Sequence, residues 1–102
     1  MNEQAREVLV RAAMDGHPQA QGAYHKEDGS DCAIGLLHLT LHRTRYEAMA
    51  CVDGRCWMAK LRDRFGLDCD ETERIFAAND VVGWDFLTIA TKFHDPLSEL
   101  SK

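Results

Sequence analysis

No apolar run in this 102-residue chain approaches the roughly 20 residues that a membrane-crossing helix needs, so a helical bilayer span is excluded within it. Glycine-rich phosphate loops and kinase or nucleotide signatures are missing, so no cofactor is expected. Internal repeats and low-complexity stretches are also lacking. Basic charge is short: 12 Lys and Arg stand against 17 Asp and Glu, a net charge of −5. Nucleic-acid binding wants a basic groove, and that balance argues against it. The first residues, MNEQAREVLVRAAMDG, carry Glu3 and Glu7 and no basic stretch ahead of an apolar one. The expectation is therefore no signal peptide and a cytoplasmic protein, whose four cysteines (Cys32, Cys51, Cys56, Cys69) stay reduced.

What is present is helical patterning. Ala5, Val8, Leu9, Ala12 and Ala13 repeat at i, i+3, i+4 spacing over residues 3–15, and Gly16 with Pro18 stops the pattern. The loop that follows holds a Asp28-Gly29 turn signal and predicts at most a minor β-hairpin near residues 22–30. Residues 31–42, DCAIGLLHLTLH, are apolar nearly all round, which predicts the central, most buried helix, capped by Ser30 or Asp31. Its polar exceptions, Asp31, His38, His42 and Arg45, fall along one stripe with Gly35, read as the face left open to function. A further helical stretch over 45–65 is interrupted at Asp53-Gly54. Asp70 with Glu73 resembles a capping box for a helix over 71–78, Asn79-Asp80 breaks that helix, and a last helix carries Trp84, Leu87, Ile89, Ala90 and Phe93. The expected fold is an all-α bundle of four to five short helices over residues 1–95, with a loosely held tail over 96–102.

The candidate chemistry is sparse. A thiol at a helix start can be a nucleophile, and Cys32 stands there. Its base would have to be His25 or His94, because His38 and His42 lie roughly 9 Å and 15 Å further along the same helix. The expectation is a packing role for Cys32 and no catalytic set, with a hydrolase or transferase using Cys32 and His25 as the alternative. His38 and His42 form an HxxxH pair that presents two imidazoles to one side. Without the Glu of HExxH, and with Cys51-x4-Cys56 poorly spaced for zinc, no metal site is expected. Asp68-x-Asp70-x-Thr72 lacks the glycine and distal Glu of a calcium loop. The charge is concentrated: Asp68, Asp70, Glu71, Glu73, Asp80 and Asp85 face only Arg74 within residues 68–85. Such a segment suits a basic protein partner.

The order of Gln21-Gly22-Ala23-Tyr24, Cys32-Ala33-Ile34-Gly35-Leu36-Leu37 and Asn79-Asp80 resembles a group of small uncharacterised proteins common in phages and actinobacterial genomes. The likeness spans most of residues 5–94. Ala78 stands where that group has a Trp, and Leu36 replaces a small Ala. The group has no activity to carry over, so the resemblance implies fold and origin. The functional expectation is a small non-enzymatic protein-binding module acting in a bacterial host cell, as an anti-CRISPR-like inhibitor. Its binding residues are Asp68, Asp70, Glu71, Glu73, Asp80, Asp85, His38 and His42, and a homodimer is compatible with that reading.

Overall fold

The chain begins its first helix where Asn2 turns its side-chain oxygen onto the Ala5 N–H at 3.1 Å. The structure, a computed structural model, describes residues 1–51 and 56–93, with the side chains of Cys51, Cys56 and Trp57 set aside. Among the described residues it is all-α, built from α1 (Glu3–Met14), α2 (Ala33–Leu39), α3 (Arg45–Cys51), α4 (Cys56–Phe65), α5 (Cys69–Ala77) and α6 (Phe86–Phe93). A π-helical turn, Ala78–Val82, joins α5 to α6. The expected interruption at Asp53-Gly54, the side-chain roles expected of Cys51, Cys56, Trp57 and His94, and the tail over 96–102 lie outside what is described.

Helix α2 sits in the middle, as its all-round apolar composition requires, with residues 33–38 all buried. Around Ile34 and Leu37 the core gathers Leu9 of α1, Leu61 and Phe65 of α4, Ile75 of α5 and Ile89 of α6. Each such side chain stabilises the fold by about 1.5–3 kcal/mol through removal from water. The long face of α1 covers α6, α2 and α4. Leu67, buried just before α5, pins the entry to that helix.

Several boundaries differ from the sequence expectation, each for a local reason. The cap of α2 is Cys32 rather than Ser30 or Asp31, and Asp31 is drawn away into an ion cluster. The helix stops at Leu39 rather than His42 and continues as tight turns, with Thr40, Leu41 and His42 each donating to the carbonyl three residues back. Asp68, not Asp70, caps α5, accepting the Glu71 N–H at 2.7 Å. The expected hairpin is reduced to two isolated bridges, Gln19 with Asp31 and His25 with Asp31. Asn79-Asp80 does not break the chain but widens it into the π-turn, which ends at Gly83 in the left-handed region (φ 83°) that glycine tolerates without a side-chain clash.

Candidate functional site

The loop of residues 17–31 is laid across the N-terminal end of α2, and one glycine permits it. A β-carbon at Gly35 would meet the Tyr24 carbonyl, so the Tyr24 backbone runs directly over the helix. The Cys32 N–H donates to that same carbonyl at 3.1 Å. Further along, Asp31 is held on both sides, its N–H on the Pro18 carbonyl and its own carbonyl accepting from the Ala20 N–H. These contacts bring His17 and His25 to a fully buried carboxylate.

Asp31 is saturated. Its Oδ1 accepts from His25 Nδ1 at 2.7 Å and from Arg45 at 2.8 Å; its Oδ2 accepts from His17 Nε2 at 2.7 Å and from Arg45 at 2.6 Å. Burial alone would raise the Asp31 pKa, but the hydrogen bonds from His25, Arg45 and His17 outweigh it and hold the carboxyl well below the usual carboxylate range. Arg45 makes the two-pronged contact that suits a guanidinium and also donates to the Gly29 carbonyl.

From Asp31 a row of imidazoles leads back to the surface. His25 Nε2 lies 2.9 Å from His38 Nδ1, and His38 Nε2 lies 3.2 Å from His42 Nε2. A carboxylate only accepts, so His25 donates from Nδ1. With His25 neutral, its Nε2 accepts from His38 Nδ1–H, and His38 Nε2 then accepts from His42. An added proton on His25 would reverse the two imidazole–imidazole bonds, while Nδ1 goes on donating to Asp31. The His38 pKa is lowered to about 4, first by burial and then by the neighbouring His25 and His42. His38, expected on an open polar stripe, is thus fully buried and neutral, because the 24–25 segment covers that side of α2. It presents nothing to a partner. His42 is half-buried at the outer end.

Cys32 is taken up by structure. Its side chain is fully buried, its sulfur accepts the Gly35 N–H at 3.3 Å, and burial pushes the thiol up to about 12. The dipole of the seven-residue α2 does not offset that desolvation. His25, the base in the enzymatic alternative, spends both ring nitrogens on Asp31 and His38. An open pocket of about 220 Å³ lined by Ala23, Tyr24, His25 and Met49 lies beside the row. Among the described residues no three His, Cys, Asp or Glu side chains gather to hold a metal ion.

A second polar centre is Asn79, fully buried in the π-turn. Its oxygen accepts from Gln19 Nε2 at 2.7 Å and from the Ala33 N–H at 3.1 Å; its nitrogen donates to the Ala20 carbonyl at 2.8 Å and to Asp80 at 2.7 Å. One amide thereby ties the α5–α6 junction to the loop and to the first turn of α2.

The acidic segment is dispersed among structural duties. Asp68 caps α5, Glu71 pairs with the Met1 amino group, Asp80 receives Asn79, and Asp85 caps α6 through the Thr88 N–H at 2.8 Å. Asp70 and Glu73 are exposed on α5. Close in sequence stand three apolar side chains in solvent: Val81 at 83% exposure, Val82 at 63% and Leu87 at 52%. Trp84, between them, is half-buried and packs on Phe93. No helix among the described residues is long and apolar enough to cross a membrane.

No protein-family model matches the chain, and neither a curated protein nor a solved structure does.

Sequence reasoning missed His17 and Arg45 as partners of Asp31. One signal pointed at them: an acid placed directly against a continuous apolar run must find cationic or N–H partners if it is buried with that run. It also missed the exposed Val81 and Val82, which no helical period marks as outward.

Proposed function

We propose that this chain is a small, non-enzymatic protein-binding module whose docking face is the segment 80–87 together with the outer side of α5. The observation that carries this reading is the trio Val81, Val82 and Leu87, exposed within seven residues, with Asp80 directly before the valines and Asp85 between them and Leu87. Apolar side chains left in water beside a carboxylate rim fit a partner with an apolar centre and Lys or Arg around it. Asp70 and Glu73 extend the same negative field, which favours encounter with a basic surface. The engagement of Cys32 and His25 within the fold supports the non-enzymatic side of the reading. Size, acidity and the resemblance to phage proteins support a role as an inhibitor of a bacterial host system in the anti-CRISPR manner. A host protein that normally grips a polyanion is the natural target of such a surface.

The test compares capture from a bacterial lysate by four forms: the native chain, V81D/V82D, D70K/E73K, and M14D on the exposed end of α1. The expected result is a protein retained by the native chain and by M14D, weakened by the charge reversals and lost with V81D/V82D. Retention by V81D/V82D, or loss with M14D alone, would remove the proposed face.

A further inference from the structure

Charge decides which face of a second copy of this chain the segment 80–87 can meet. Asp80 and Asp85 stand against no base within that segment, so two such segments face to face would set carboxylate against carboxylate. A second copy must bring a different surface. The complementary one is on α4, where Lys60, Arg62 and Arg64, all exposed, form the densest run of bases in the chain. Asp63 is the only acid that stands against them within residues 58–65. Beside these bases an open groove of about 330 Å³ runs between α4 and the start of α5. Among the described residues its apolar lining comes from Met58, Ala59 and Leu67, with Arg62 on the α4 side and Asp68 and Cys69 on the α5 side. We infer that this groove receives Val81 and Val82 of a second copy of the chain, with Arg62 and its basic neighbours meeting Asp80 and Asp85. This contact rests on the reading of 80–87 as a docking face and gives that face one partner.

The two lips of the groove differ in charge, and this orients the incoming segment. Asp68 turns its carboxylate to the Glu71 N–H, and exposed Asp70 keeps the α5 side acidic. The incoming carboxylates therefore fall to the α4 side, and the valines to the apolar lining between. Helix α5 separates the two halves of the contact within one molecule. The groove lies at its first residue, Cys69, and the valines follow its last, Ala77, about 12 Å further along the axis. The groove of one molecule is thus out of reach of its own valines. Because the two surfaces are unlike, a copy that has lost one still offers the other. A few side chains from each partner fall short of the area of a stable complex, so the association is weak, on the order of 100 μM to 1 mM. A tighter partner of the same valines displaces the second copy.

The test follows the weight-average mass of the full chain by sedimentation from about 10 μM to about 1 mM, a range that spans weak association. The mass of the native chain is expected to rise with concentration. That of V81D/V82D, and of Ala59→Glu, which fills the groove from an exposed position, is expected to stay at one chain. An equimolar mixture of those two variants brings together one intact groove and one intact valine pair. Its mass is expected to rise and to stop at two chains. Arg62→Glu, also at an exposed position, takes the place of Ala59→Glu if circular dichroism shows that the latter disturbs α4. Lysate capture by Ala59→Glu keeps the two readings apart: its valines are intact, so it captures a host protein if the docking-face reading holds, whatever the groove does. Three results would overturn the contact between copies: a native mass constant over the whole range, undiminished association of the groove variant, or a mixture that stays at one chain.

Discussion

A β-carbon on Gly35 would collide with the carbonyl oxygen of Tyr24, so the packing of the 17–31 loop on α2 depends on glycine at that one position. Gly35→Ala pushes against backbone that is pinned by the Cys32 N–H and cannot yield as a side chain would. A loss of about 3 kcal/mol or more is expected, at the upper end of overpacking costs. Urea denaturation checks it, with Gly16→Ala as the comparison: its φ is 68° but no atom lies within 4 Å, so about 1 kcal/mol is expected there.

Stability should fall on acidification in two limbs, measurable as urea midpoints from pH 8 to pH 2 in the presence of a chelator. His38 titrates near 6.5 when unfolded and at about 4 when folded, so the unfolded chain takes up the proton first. Stability is therefore intact above that window and declines as pH drops from 6.5 to 4, by about 3 kcal/mol. Asp31 follows: its folded pKa is depressed, so its contribution is present above the ordinary carboxylate value of 3.8 and is lost as pH falls further. Asp31→Asn should remove the lower limb. It should also cost about 1.5–3 kcal/mol at neutral pH, because the partly exposed Arg45 loses its charge-assisted hydrogen bonds to the buried carboxylate.

Asn79 offers a sharper comparison. Asn79→Ala leaves the Ala33 N–H, the Ala20 carbonyl and the Gln19 amide without their partner, for an expected loss of about 3 kcal/mol. Asn79→Asp keeps the acceptor but cannot donate to the Ala20 carbonyl, and it sets a second carboxylate against Asp80. At pH 7 it should cost at least as much as alanine, and its deficit should shrink as the solution is acidified. Thermal melts at pH 7 and pH 5 would show the opposite trend if the amide donor did not matter.

Alkylation separates the two described thiols. Iodoacetamide at pH 8 should modify exposed Cys69 while buried Cys32, with its thiol pushed up to about 12, stays unlabelled until the chain unfolds. Peptide mapping by mass spectrometry reads this directly. Rapid labelling of Cys32 in the folded chain would restore the nucleophile reading.

Local signals in the sequence located the helices well. The i, i+3, i+4 pattern ending at Gly16 places α1 within a residue of its observed end, and the nearly all-round apolar 31–42 stretch identifies the central helix, though α2 itself ends at Leu39. Such features arise from residues a turn apart. The polar network does not. His17, His25 and Arg45 reach Asp31 from separations of 14, 6 and 14 residues, and only the closed loop brings them together. Periodicity placed His38 on an outward stripe because it counts residues around one helix and is blind to the segment lying over it. The choice of Asp68 over Asp70 as the α5 cap was equally beyond reach, since each has an acid three residues on.

The π-turn has a consequence for how this chain can vary. Such a turn holds one residue more than an α-helical turn would, so Val81 and Val82 are rotated by about 100° from where a continued α5 would place them. Asn79 faces inward while Val81 and Val82 face out, and that phase is set by chain length rather than by residue type. Insertion or deletion of a single residue between 80 and 82 would re-aim Val81 and Val82 in one step, provided that residues 83–85 absorb the shift so that α6 keeps its packing on α1. A lineage under pressure to change what it binds could do so by a length change at this junction, with no substitution in the core.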